Sequence, residues 1–165
     1  MNRVKSVMLL TLLSVILMAI GGVVGGRSGA FTMLLISFAM NFYTYWNCDK
    51  MALRAYNAQP LSESDVPELY QLVRDLTERA HMPMPRLYVI PTDVPNAFAT
   101  GRNENHAAVA VTEGILSMLD RDELAGVLSH ELSHIRHRDT LIMTLAASIA
   151  TAISYIANAA QWLAI

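Results

Sequence analysis

The stretch DRDELAGVLSHELSHIRHRD, Asp120 to Asp139, sets His130, Glu131 and His134 in the order His-Glu-x-x-His. At about 100° per residue on an α-helix, the two histidines lie about 40° apart, one turn above the other, with Glu131 roughly 100° from His130. Two imidazoles on one face can grip a single ion. Zinc suits two neutral imidazoles and a carboxylate, keeps a fourth position for water, and lowers that water's pKa toward neutrality. Glu131 is then placed to take the proton as general base. One Zn2+ per chain is expected, with His130 and His134 as ligands.

The segment reads as a helix independently of this motif. Asp120 followed by Glu123 has the spacing of a capping box, and acidic residues fill the first turn. Counted from His130, Leu124, Leu128, Leu132 and Ile135 fall between about 120° and 200°, an apolar stripe separate from the metal face. Gly126 and Val127 lie one turn before the ligands on the metal side and leave room for a site to open there. The third ligand is harder to place. No glutamate follows Glu131 in the sequence, and Asp139 lies about 180° round the helix from His130. His137 lies about 10 Å of rise beyond His130 and reads as a surface or supporting histidine. The pattern also lacks the glycine and third histidine that a metzincin places after His134.

The 165 residues are 53% hydrophobic and only 16% charged, with a net charge of −2, a balance too apolar for an ordinary soluble domain. The excess sits in blocks. Val7 to Gly26 and Ser28 to Cys48 read as a helical hairpin of two membrane spans, with Gly21, Gly22, Gly25, Gly26 and Gly29 near the turn and Tyr43, Tyr45 and Trp46 as an aromatic belt. Leu141 to Ile165 carries no charge and reads as a third span. Arg3, Lys5, Lys50, Arg54, Arg136 and Arg138 then share one side of the membrane and Arg27 alone takes the other. The positive-inside rule puts the catalytic helix in the cytoplasm. A cleaved signal peptide ending near Gly21 would place the domain outside, but the first apolar run is long and a second follows almost at once. Cys48 is the single cysteine and excludes a disulfide framework. No nucleic-acid partner is expected.

Between the membrane blocks, Asn57 to Ser64 reads as a polar linker, and a structural helix starts near Asp65-Val66-Pro67-Glu68 with Asp65 and Glu68 as its cap. His81 to Pro85 must break that helix. Arg86 to Ile90, Asn96 to Thr100 and Ala107 to Thr112 then read as three short strands, the last two a hairpin, and a short helix through Leu119 precedes the zinc helix. Asn96 to Thr100 is the candidate edge strand, because small Ala97, Ala99 and Gly101 would let another backbone approach. An extended peptide pairing there would sit over the zinc, which makes Asn96, Ala97 and Phe98 candidate substrate-binding residues. A plain structural hairpin is the alternative. His106 reads as a surface residue and Glu113 as an acid compensating a helix dipole.

PNAFATG at Pro95 to Gly101, AVAVTEGIL at Ala108 to Leu116 and DELAGVLSHELSHIRHRD at Asp122 to Asp139 resemble the HtpX membrane zinc metalloproteases along essentially the whole chain. The resemblance implies an α+β fold: a membrane-anchored zincin-like domain with a small three-stranded sheet, an active-site helix and about three transmembrane helices. It divides the chain into a transmembrane hairpin (1–48), the N-terminal part of the protease domain (49–140) and a third, truncated span (141–165). It implies a multi-pass inner-membrane endopeptidase facing the cytoplasm that cleaves misfolded or damaged membrane proteins under stress. The third ligand would be a glutamate beyond residue 165, with Asp139 in a supporting role. Two rivals stand beside this. An intramembrane protease would bury the motif in a span, but charge brackets it here. A catalytically incomplete fragment would act only as a membrane-anchored binding or adaptor segment.

Overall fold

In a computed structural model, which describes residues 2–137 and Asp139, two glycines fold the apolar N-terminal region back on itself. Helix α1 runs Asn2–Ala55 but leaves helical geometry at Gly25 (φ −130°, ψ 17°) and Gly26 (φ 58°, ψ −145°). The positive φ at Gly26 is one that residues with a Cβ rarely adopt. The two arms then run side by side: Asn41 Nδ2 donates to the Leu10 carbonyl at 3.2 Å and to Ser14 Oγ at 2.9 Å. A Cβ on Gly29 would strike the Gly21 carbonyl, so glycine permits the close crossing beside the turn. Val7–Ala55 is apolar and long enough to cross a membrane, with a mean hydropathy of 2.7 in its best window. Val23, Val24, Phe31, Phe38 and Phe42 on its outer surface are exposed.

The helix departs from regular geometry again at Asn47 (φ −118°, ψ 17°). There the first compact unit ends, and a second begins at Cys48. The second unit contains β1 (Gln59–Pro60), α2 (Pro67–Ala80), β2 (Arg86–Ile90), β3 (Ala97–Gly101), β4 (Ala107–Thr112), α3 (Glu113–Met118) and α4 (Arg121–His137). The four strands form one mixed sheet in the order β1-β2-β4-β3. β2 runs parallel to β4, Leu87 opposite Val109, while β3 runs antiparallel to it, Ala99 opposite Val109. A turn of 3-10 helix, Glu104–His106, closes the β3–β4 hairpin.

Alternation along the strands sorts the side chains onto two faces. Leu87, Ala99, Val109 and Val111 meet Leu69, Leu72 and Val73 of α2 and Leu124, Leu128, Leu132 and Ile135 of α4 in the main core. Ile90, Ala108 and Ala110 face the other way and are covered by Leu53 from the last turn of α1. Tyr56 packs against Phe98 on this second face, ring centroids 5.0 Å apart and planes tilted by 45°. Asp49, nearly buried, pairs with Arg86 and ties the end of α1 to β2. With both faces covered, every residue of β4 is buried, which is why Ala107 to Thr112 is an almost unbroken apolar run.

Two sequence expectations are corrected. Among the described residues the sheet has four strands, because the linker read from Asn57 to Ser64 contributes β1, pairing Gln59 with Val89 and Pro60 with Tyr88. Two residues, one of them proline, are too few to show a strand's alternation. The cap expected from Asp65 and Glu68 is absent: Val66 is the N-cap without a side-chain bond, and Asp65 instead accepts from the Ser62 amide and hydroxyl. Those bonds hold the Asp65 carboxyl below its usual range. Helix α1 continues past the second apolar arm, and its portion from Cys48 to Ala55 belongs to the second unit. The third apolar run, Leu141 to Ile165, lies outside the described residues.

Candidate metal centre and active site

Helix α4 is built as its sequence anticipates. Asp120 Oδ1 accepts from the amides of Asp122 and Glu123, both at 2.9 Å, and the Asp120 amide returns a bond to Glu123 Oε2 at 3.1 Å. This reciprocal box satisfies amides at the helix start that would otherwise lack partners. Leu124, Leu128, Leu132 and Ile135 are all buried, fixing the rotation of the helix against the sheet. That rotation leaves His130 exposed, with His134 and Glu131 half-buried. Among the described residues, nothing lies within 4 Å of a Cβ built on Gly126, one turn before His130.

The ring planes of His130 and His134 meet at 84°, and their Nε2 atoms stand 3.1 Å apart. Two nitrogens each 2.0–2.1 Å from a tetrahedral zinc are roughly 3.3 Å apart. The pair therefore has close to the spacing that one such ion requires. His134 Nδ1 faces Asp139 Oδ2 at 3.5 Å. A carboxylate on that side favours a proton at Nδ1 and frees the Nε2 lone pair for a metal. Asp139 thus reaches the ring from the side away from His130. Among the described residues no group of three or more His, Cys, Asp or Glu converges as a metal cage.

Glu131 points elsewhere: its Oε2 accepts from the backbone amide of Ala99 at 3.0 Å. β3 is a terminal strand of the sheet. The Thr112 amide donates to the Asn96 carbonyl. By alternation, Asn96, Phe98 and Thr100 turn their backbone toward β4, whereas Ala97 and Ala99 turn theirs to the free edge. The three candidate substrate residues are therefore placed differently. Ala97 presents its backbone outward. Asn96 is exposed beside it, its amide bonded to Thr112 Oγ1 at 2.9 Å. Phe98 is paired inward with Ala110, and its ring lies against Tyr56 on the face away from α4. His106 Nδ1 contacts Asn103 Oδ1 at 2.8 Å in the hairpin turn, and His137 Nδ1 contacts the Ser133 carbonyl at 2.7 Å. Glu113 is exposed in the first turn of α3. The Ala99 amide is the participant that motif reading missed. Its signal is the pair of alanines, 97 and 99, facing the helix.

The sequence pattern of peptidase family M48 matches residues 63–165, a span that takes in α2, β2 to β4 and all of α4. The chain belongs to peptidase family M48. Within this metallopeptidase family it is 54% identical over 162 residues to a protease HtpX homolog from Pelotomaculum thermopropionicum, covering 98% of this chain and 58% of that protein. It is 52% identical over 161 residues to the protease HtpX homolog of Paraburkholderia phytofirmans, covering 98% and 56%. The M48 chain thus spans somewhat over half the length of these curated relatives. Its fold is similar to that in a crystal structure of S. mikatae Ste24p, with a TM-score of 0.55 at 17% identity, over 91% of this chain and 36% of the other.

Proposed function

We propose that this M48 chain is part of a zinc-dependent membrane endopeptidase, in which His130 and His134 hold the metal through Nε2 and Glu131 is the general base. The observation that carries the reading is the 3.1 Å approach of the two Nε2 atoms, with Glu131 tied to the free edge of the sheet beside them. Bound zinc would supply Lewis acidity and an acidified water. Glu131 takes a proton from the attacking water and returns it to the leaving amine. Asp139 orients His134 through Nδ1. An extended polypeptide adds to β3 as a further strand, paired with the backbone of Ala97, while the exposed Asn96 side chain lies beside it. Main-chain pairing of this kind is tolerant of sequence and suits misfolded or damaged membrane proteins as substrates.

The hairpin of α1 reads as two membrane spans and the apolar run from Leu141 as a third. The distribution of Lys and Arg favours a multi-pass inner-membrane protein whose catalytic unit faces the cytoplasm. The likeness to HtpX proteases supports a role in protein quality control under stress. The test is Glu131→Gln in the full-length protein: zinc content is retained and casein cleavage falls to background. A folded, zinc-loaded Glu131→Gln protein with normal turnover would sink the assignment.

A further inference from the structure

We infer that the backbone amide of Ala99 is a positioning group for Glu131, and that by engaging it the protein leaves Ala97 as the outward donor through which β3 receives a peptide. The inference rests on the endopeptidase reading above. An amide at a free strand edge ordinarily faces water or another strand. Here the donor at the centre of β3 meets a carboxylate of the neighbouring helix at 3.0 Å, a charge-assisted bond.

The bond depends on how closely strand and helix approach. The two β3 side chains turned toward α4 are Ala97 and Ala99, packed in the core that contains Leu128 and Leu132, and Ala99 is only 7% exposed. A larger side chain at position 99 would lift the strand off the helix and carry the amide out of reach of Glu131. Alanine at this position and the carboxylate on α4 are thus parts of one arrangement.

A backbone donor neither rotates nor ionises. It restricts Glu131 to one side-chain geometry, holding Oε2 and leaving Oε1 to exchange a proton with water. It also sets a register. An incoming strand can use the amide and carbonyl of Ala97 and the carbonyl of Ala99, but the next amide is already taken. Pairing is interrupted beside Glu131, and there the peptide departs from the sheet toward the histidine pair.

Two measurements on the full-length protein test this. Residue-resolved amide hydrogen exchange should show the Ala99 amide protected, with exchange at least about tenfold faster in Glu131→Ala; equal rates in the two proteins overturn the inference. Ala99→Pro deletes the donor at an edge position where proline is tolerated. Its kcat should fall about ten- to hundredfold, as expected for loss of one charge-assisted bond, with KM changed less than about twofold and zinc retained. A folded, zinc-loaded Ala99→Pro protein with wild-type kcat would refute the inference. If Ala99→Pro does not fold, the exchange comparison decides. Glu131→Gln assayed in parallel separates the two levels: turnover in that variant removes the endopeptidase reading, whereas its loss together with a fully active Ala99→Pro removes only the role of Ala99.

Discussion

Replacing Asp120 by alanine should unfasten the start of α4 without touching the histidines. The side chain accepts two amide bonds of 2.9 Å, and these are lost with it, whereas the return bond of 3.1 Å to Glu123 comes from the Asp120 backbone amide and can persist. Because Asp120 is exposed, water competes for both, and the loss is on the scale of a helix cap, about 1 kcal/mol. Removing the negative charge from the helix start adds about 0.5 kcal/mol. For a unit of this size about 1.5 kcal/mol corresponds to a melting shift of about 6–12 °C, measurable by scanning calorimetry of the full-length protein in detergent. Asp120→Asn keeps the acceptor oxygen and loses only the charge, so its shift should be about a third as large. Zinc stoichiometry in the native state should not change, since His130 lies about 15 Å further along the helix. A shift below about 2 °C for Asp120→Ala, or equal shifts for the two variants, would refute the capping argument.

Asp139→Ala should weaken zinc binding about 10–100-fold in competition with a chromophoric chelator, because the His134 ring loses the carboxylate at its Nδ1; unaltered affinity would count against that role. Leu128→Ala, at a position 1% exposed in the centre of the core, should cost about 2–5 kcal/mol in denaturant unfolding, well beyond the Asp120 variant. The Asp65 carboxyl should titrate below the ordinary range by NMR, because Ser62 donates to it from hydroxyl and amide. A depressed folded-state pKa stabilises the fold above the unfolded-state value near about pH 3.9 and loses that contribution as pH falls through the folded value. Ser62→Ala should move the Asp65 midpoint upward, and an unmoved midpoint would show that the hydroxyl does not matter.

Much of α4 was legible because its signals are local and periodic: the Asp120–Glu123 box and the stripe from Leu124 to Ile135 both describe one helix and nothing beyond it. The hairpin was legible for the same reason, since glycines between two apolar runs leave few other options. The histidine spacing likewise follows from helical geometry alone. Features created by pairing distant segments were harder to read. β1 gains its identity from β2, and nothing in Gln59 and Pro60 announces it. Asp65 had two competing partners at the same spacing, Ser62 behind and Glu68 ahead, and Pro67 at the helix start left no amide there to favour the forward choice. For Asp139, the helical-wheel angle excluded a place beside His130 but did not show that the far side of the His134 ring lies within reach. The small side chains of Ala97 and Ala99 hint at a close approach, but the partnership of the Ala99 amide with Glu131 emerges only once the strand is laid against the helix.

The two borders of the sheet are unequal. At β1 the Leu61 amide donates to the Leu87 carbonyl, so by alternation the outward-facing residue of that strand is Pro60, which has no hydrogen to offer. At β3 the corresponding residues are alanines. A stray extended chain is thus refused a donor at one border and offered the Ala97 amide at the other, beside α4. The same proline that blunts that side against unwanted strand addition leaves β3, among the described residues, as the border with an outward backbone donor.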